Sequence, residues 1–480
     1  MGPKLVILYD IADGVSRTIT NAQESVEELL FEPVIRLGVT GLSRSGKTVF
    51  ITSLVANLLD RGRMPQLQAA QQGRILSVYL QPQPDDDVPR FDFETHYNSL
   101  KGPSPEWPAS TRTISQLRLS IRVQPSGILS SITGPRTVHL DIVDYPGEWL
   151  LDLPLLNQTY AEWAKEALEA ARAPARASQS EGWLAQLEGC DPTSDLDETT
   201  AKSQAAHFTS YLRQCREDGF SACAPGRFLM PGDLEGSPAL TFAPLPEPDK
   251  KPRSGSLWKA YERRFESYKR VVVKPFFRNH FSRMDRQIVL VDALGAIHAG
   301  PRAVDDLRHA MADILQSFRP GKNSWLSSIL GKRVDRILFA ATKSDHLHHS
   351  QHPQLANIMD ALVKDARTRA DHSGADTAAL AIASLRSTVE DTLSHQGEDL
   401  DCVRGTLLET GKAAALYAGT LPNDPGHLLA PAQKGADKWL DHDFNVMKFA
   451  PPQLNLNPGD GPPHIRLDKA TEFLIGDRLG

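Results

Sequence analysis

Residues 41–48, GLSRSGKT, constrain this chain more than any other stretch. Gly41, Gly46, Lys47 and Thr48 satisfy the spacing G-x-x-x-x-G-K-[ST]. Glycines let the backbone curl until successive amides point inward, forming a concave nest that suits phosphate oxygens. The helix that follows adds its positive end. The flanks agree with this. "PVIRLGVTG" reads as a strand opened by proline and closed by glycine, and "TVFITSLVANLLDRG" as a helix stopped by glycine. Lys47 is expected to reach the β- and γ-phosphates of a nucleotide, and the Thr48 hydroxyl to ligate Mg²⁺. Ser43, Arg44, Ser45, Gly46 and Val49 complete the expected loop contacts. The Arg44 side chain is read as turned to solvent or to a structural contact, because backbone amides already supply the positive field.

Bulk properties narrow the classes. A net charge of −6 gives no basic face of the kind nucleic-acid binders carry. Cys190, Cys215, Cys223 and Cys402 lack CxxC spacing, so neither a disulfide framework nor a zinc site is indicated, and a reducing compartment fits. No apolar run approaches the roughly 20 residues that span a bilayer, and the N-terminus lacks a secretion pattern. The chain reads as a soluble cytoplasmic protein of two or three domains.

Along the chain, "AQESVEELLFE" reads as a short amphipathic helix ahead of the core. From Arg63 to Trp107, Gln, Pro and Asp suggest a long irregular connection. "ISQLRLSIRVQ" and "TVHLDIVD" read as two strands around a turn. A mostly helical stretch follows from about Leu150 to Met284. Strands resume at "RQIVLVDA", "DRILFAAT" and "TAALAIAS", with a helix at "AVDDLRHAMADILQSF". The last eighty or so residues mix turns with short strands and end in a helix at "LDKATEFLIGDRL".

"FAATKSDH" carries the choice of base. Thr342, Lys343 and Asp345 form T-K-x-D at a strand end, a variant of the N-K-x-D signature of GTPases. A carboxylate can only accept, and guanine offers two parallel donors, its N1–H and its amine. Adenine would leave that carboxylate unpaired, and sites built on such pairing can reject the wrong analogue by factors on the order of 10⁴. The Lys343 stem can lie along the base, and His346 near the base or ribose. The amides of Ser384 and Leu385, in "AIASLRST", are candidates for the guanine carbonyl. The histidine run "DHLHHSQH" reads as an exposed turn rather than a ligand set, since nothing supplies matching Cys or acidic partners.

Two D-x-x-G sequences compete for the metal, "DYPG" from Asp144 and "DALG" from Asp292. Choosing Asp144 leaves one more strand before T-K-x-D and gives a mainly parallel six-stranded sheet, so Asp144 is preferred and Asp292 is read as a strand-end residue. Asp144 would hold Mg²⁺ through a water, and the Gly147 amide would meet the γ-phosphate. Glu148 stands where many GTPases use Gln to orient water; its charge repels the phosphate, so slow turnover is expected. In "WPASTRT", Thr111 is the candidate second hydroxyl on Mg²⁺, with Ser110 and Thr113 as alternatives. Trp107 and Arg112 are placed at the border of the nucleotide.

"TGLSRSGKT", "WPASTRTISQLRLSIR", "DYPGEWLLDLPLL", "PGRFLMPGDLEGSPALTFAPLP", "VDALGAIHAGP", "LFAATKSDH" and "PHIRLDKATEFLIGDRL" together resemble the YcjX-like family of bacterial, stress-associated P-loop GTPases. The resemblance implies a Ras-like α/β core interrupted by a mostly helical domain, and GTP binding and hydrolysis with Mg²⁺. It carries Lys47, Thr48, Thr111, Asp144, Lys343 and Asp345 onto nucleotide or metal roles. By analogy alone it also implies an inner-membrane protein partner. The expected organisation is an N-terminal extension over 1–32, a discontinuous GTPase domain over 33–149 and 285–395, a helical insertion over 150–284, and a C-terminal segment over 396–480 packed on the core. A nucleotide-binding scaffold without turnover and an ATP-dependent P-loop enzyme are the competing readings.

Overall fold

The computed structural model describes residues 32–42, 45–109, 113–126, 134–316, 334–364, 367–368, 375–395, 397–436, 438–439 and 444–480. The expected helix ahead of the core, with nearly all of the 1–32 extension, lies outside them. Seven strands form one mixed sheet: β1 (Val34–Gly41), β2 (Ile75–Gln81), β3 (Ser115–Val123), β4 (Arg136–Asp144), β5 (Arg286–Val291), β6 (Arg336–Ala341) and β7 (Asp376–Ala381). Their spatial order is β2-β3-β4-β1-β5-β6-β7. The run from β4 to β7 is parallel, and β2 and β3 pair antiparallel at one edge. The α/β class and the mainly parallel sheet stand as the sequence implied.

Among the described residues the sheet has seven strands rather than six, because the segment read as irregular contains β2 and the helix Phe93–Lys101. Glutamine, proline and aspartate flank β2 and mask it. Its outward Leu76 and Tyr79 are exposed, so the strand has only a half-buried face and owes its shape to pairing with β3. A second, three-stranded antiparallel sheet joins β8 (Thr388–His395), β9 (Glu398–Thr406) and β10 (Ala413–Leu416). The β8–β9 hairpin straddles residue 395, where the sequence placed the end of the core domain.

Alternation along the strands divides the interior. Ile35, Leu37, Val39, Ile288, Leu290 and Leu338 face the phosphate-loop helix Lys47–Leu59 and the C-terminal helix Leu467–Ile475. Val289, Val291, Ile337 and Phe339 face the other way and join one continuous core with the helices between β4 and β5. Those helices begin cleanly. The helix Tyr160–Arg172, for example, starts at a capping box in which Thr159 and Glu162 satisfy each other's backbone amides. Aromatic rings fill the helical part, with Trp163 stacked on Phe265 and edge-on to Phe208 and Phe242. Among the described residues no helix is long and apolar enough to cross a membrane.

The C-terminal helix is tied to the sheet by Arg286, 2% exposed, which donates to the Leu474 carbonyl at 3.1 Å and pairs with Asp335 at 2.6 Å and Asp477 at 2.9 Å. A charge-assisted bond of this kind contributes about 1.5–3 kcal/mol. Arg286→Met is therefore expected to loosen the helix Leu467–Ile475 before the rest of the fold. Limited proteolysis should cut that helix several-fold faster than in the wild type, and an unchanged digestion rate would contradict this anchor.

Candidate functional site

The carboxyl ends of the parallel strands converge on one edge of the sheet, the edge where ligands settle in open α/β folds. β1 ends at Gly41, whose Cα lies so close to its surroundings that a Cβ would stand 2.2 Å from the Ser45 Oγ and 2.7 Å from the Leu290 carbonyl oxygen. Gly46 is needed for a different reason: nothing among the described residues crowds it, but its φ of 79° lies in the left-handed region. The helix opens immediately afterwards, with the Phe50 amide donating to the Gly46 carbonyl at 2.9 Å. Lys47 and Thr48 thus stand in the first turn, where amides without helical partners face outward.

Across a cavity of about 440 Å³ from this loop lie Thr342, Lys343, Asp345 and His346. Asp345 is buried, and one carboxylate oxygen, Oδ2, accepts from the Ser387 amide at 2.8 Å and the Ser387 hydroxyl at 2.7 Å. The Thr388 hydroxyl donates to the Asp345 carbonyl. The carboxylate is therefore held in one orientation by the loop that follows β7. Lys343 adopts φ 59° and its ammonium pairs with Asp292, the strand-end residue of "DALG", which also caps the helix Ala293–Ala299. Burial holds the His346 imidazole below its ordinary range, so it is neutral near pH 7, and its ring meets Phe449 edge-on at 5.2 Å.

A wall of this cavity comes from a place no motif marked. Val446, Met447, Lys448 and Phe449 line it together with Leu408. That segment runs beside the end of β9, through bonds from the Leu408 amide to the Lys448 carbonyl and from the Ala450 amide to the Thr406 carbonyl. The Trp107 indole donates to the Phe449 carbonyl at 2.7 Å and joins the segment to the loop before β3. Ser387 was within reach of sequence reading, since it stands in "AIASLRST"; the 446–449 segment carries no such signal.

On the other side of the loop, Asp144 ends β4, buried and in register with Val39 of β1. Gly147 lies directly against the phosphate loop, where a Cβ would stand 2.1 Å from the Gly41 carbonyl oxygen. Glu148 is turned away from the first cavity and pairs with Arg216 of the helical part at 3.1 Å. Both line a second cavity of about 410 Å³, which shares Leu42, Lys343, Val446 and Lys448 with the first. The turn carrying "PGRFLMP" packs onto this segment. A Cβ on Gly226 would fall 1.8 Å from the Glu148 carbonyl oxygen, the Arg227 guanidinium sits 3.2 Å over the Trp149 ring, and the Trp149 indole donates to the Met230 carbonyl at 2.9 Å. The buried Asp152 carboxylate accepts from the Gly226 amide at 2.7 Å, the Arg227 amide at 3.3 Å and the Tyr268 hydroxyl at 2.6 Å.

The structure thus gathers Ser45, Gly46, Lys47, Thr48, Val49, Trp107, Thr342, Lys343, Asp345, His346, Ser384 and Leu385 around one cavity. Gly147 touches the loop's first glycine, Asp144 is buried at the strand end beside it, and Glu148 faces the neighbouring cavity. Ser43, Arg44, Ser110, Thr111 and Arg112 lie outside the described residues.

The profile of the YcjX-like family, DUF463, matches residues 35–479. Two curated relatives are similar along nearly the whole chain, and each carries the name Ras-like GTPase YcjX. The one from Escherichia coli (strain K12) is 39% identical over 462 residues, covering 93% of this chain and 96% of its own length. The one from Shewanella oneidensis (strain ATCC 700550 / JCM 31522 / CIP 106686 / LMG 19005 / NCIMB 14063 / MR-1) is 35% identical over 483 residues, covering 96% and 98%.

Two outcomes are expected from the packing behind Glu148. Gly226→Ala overfills a contact made with backbone and should destabilise the protein by about 1–3 kcal/mol or more; a melting temperature equal to wild type would refute the close approach. Burial pushes the Asp152 carboxyl up to about 6, although Tyr268, the Gly226 and Arg227 amides and the Arg227 charge pull it down. The folded state then holds the proton more tightly than the unfolded chain. The associated stability is fully present below roughly pH 4 and is lost as pH rises through about 6, on the order of 3 kcal/mol in all. Asp152→Asn should lack this fall between pH 4.5 and 7 in thermal denaturation, and identical pH slopes for the two proteins would rule it out.

Proposed function

The chain belongs to the YcjX-like family, and on that premise we propose that it binds GTP with Mg²⁺ and hydrolyses it to GDP and phosphate. The observation that carries the reading is the single cavity with Lys47 and Thr48 on one side and Asp345 on the other. In this reading the loop amides and the Lys47 ammonium take the phosphates, and Asp345 takes the guanine N1–H and amine. Ser387 contributes by holding Oδ2, so that the acceptor is aimed before the base arrives. The Lys343 stem lies along the base, with the Ser384 and Leu385 amides at its carbonyl. His346 and Trp107 border the nucleotide.

Thr48, in the first turn after the loop, and Asp144, buried at the end of β4 in register with Val39 of β1, would offer a hydroxyl and a carboxylate, an all-oxygen set that suits Mg²⁺. Bound there, the ion would neutralise charge on the β- and γ-phosphates. Thr111 is the proposed further hydroxyl. Glu148, held by Arg216, leaves no side-chain amide to orient water, which supports slow turnover. The same pair favours one second reading, a nucleotide-controlled scaffold with negligible hydrolysis. Residues 150–284 are read as the insertion that senses nucleotide state through Gly147 and Glu148, and 396–480 as a segment packed on the core of 33–149 and 285–395. A regulatory role in bacterial stress, and an inner-membrane protein partner, rest on family resemblance alone.

Asp345→Asn should lower affinity for guanosine nucleotides by a factor on the order of 10² or more and raise affinity for xanthosine nucleotides, whose C2 carbonyl accepts from the new amide. Unaltered base preference in equilibrium competition would refute the guanine assignment. In single-turnover assays Lys47→Ala should slow phosphate release at least tenfold; equal rates would favour the scaffold.

A further inference from the structure

The histidine run after the base-side loop does not stand alone once the chain is folded. β8 and β9 bring carboxylates to it. His349 Nδ1 lies 2.9 Å from Glu390 Oε2, and His348 Nε2 lies 3.8 Å from the same oxygen. One donor atom from each of His348, His349 and Glu390 can be drawn so that all lie within 4.8 Å of one another. In a tetrahedral site with bonds of about 2.1 Å, neighbouring donors stand roughly 3.4 Å apart, so the two measured separations bracket what a metal requires.

The surroundings orient the donors as well. His348 Nδ1 is 2.9 Å from the Ser350 hydroxyl and 3.4 Å from Asp401 Oδ2. With a metal on Nε2 the ring proton would lie on Nδ1, facing the Asp401 carboxylate in the carboxylate–histidine–metal arrangement of ligand sites; in the metal-free ring the same nitrogen accepts from the Ser350 amide at 3.5 Å. The Arg386 guanidinium approaches the opposite carboxylate oxygen, Oε1, at 3.6 Å and leaves Oε2 to the histidines.

We propose that His348, His349 and Glu390, with Asp401 behind His348, bind one late first-row divalent metal ion, separate from the Mg²⁺ assigned to the phosphate loop. Two imidazoles and one carboxylate suit zinc and its neighbours rather than Mg²⁺. The ligands come from the two segments that fix Asp345: the histidines follow the turn Ser344–His346, and Glu390 follows Ser387 and Thr388. The ion would clamp those segments together.

The probe is Zn²⁺, titrated into the full chain without purification tag or nucleotide, by competition with a chromophoric chelator. Wild type should take up one equivalent that excess Mg²⁺ does not displace. His349→Ala and Glu390→Gln should weaken uptake at least tenfold, and Asp401→Asn about 10–100-fold. His309→Ala, at the exposed His309–Asp305 pair elsewhere, should leave it unchanged. Zn²⁺ should raise the melting temperature of wild type and not of Glu390→Gln, whose metal-free melting checks that it folds. Wild-type uptake no tighter than that of the doubly substituted His348→Ala, His349→Ala protein, or uptake indifferent to Glu390→Gln, would overturn the proposal.

Discussion

The buried carboxylate of Asp152 is the knot on which the relation between sheet and helices depends. It lies eight residues beyond the end of β4, in a segment that leaves the sheet as a chain of short 3₁₀ turns. The backbone bonds of these turns are local, such as the Trp149 amide to the Pro146 carbonyl and the Leu153 amide to the Leu150 carbonyl. Asp152 adds long-range ones by accepting from two successive amides of the 225–230 turn and from the Tyr268 hydroxyl. A buried charge is costly unless it is well paired, so these donors have to be in place together. That requirement joins the exit of β4, the "PGRF" turn and the helix Leu257–Tyr268 into one unit. The close approach of Gly226 to Glu148, and of Gly147 to Gly41, follows from the same alignment.

How much of this was legible in the sequence depends on how local the requirement is. The phosphate loop was readable because its constraints are carried by its own backbone: Gly46 needs a left-handed φ and Gly41 needs room. β5 and β6 were readable because strands buried along nearly their whole length are nearly continuous apolar runs, and β4 because apolar residues alternate along it. β2 was hidden by contrast. It is covered on one face only, its neighbours are turn-forming residues, and the pairing that makes it a strand comes from β3, some forty residues away.

The cavity walls show the same division. Asp345 was found by motif, but the residue that holds it, Ser387, and the 446–449 segment opposite were not assigned to it. Phe449 reaches its place because Gly405 on β9 has no side chain: a Cβ there would come within 2.6 Å of the ring. Nothing near Phe449 in the sequence indicates that fit. The acidic partners of His348 and His349 were missed for a like reason, being supplied by β8 and β9 rather than by the histidine run itself.

The two D-x-x-G sequences illustrate why position in the sheet, rather than motif, decides a role. Asp144 and Asp292 both stand at carboxyl ends of strands that flank β1, one on each side. Beyond Asp144, Gly147 meets the loop's first glycine, so that end of the sheet presses on the phosphate loop from the helical side. Asp292 instead pairs with Lys343 and caps the helix Ala293–Ala299, so it belongs to the T-K-x-D side. Lys343 lines both cavities, the one between the two loops and the one that Glu148 and Arg216 border. A charge introduced into either cavity is therefore felt at the same ammonium group. The sheet edge is one electrostatic field shared by the two sides, divided in sequence by the whole helical segment and rejoined at β5.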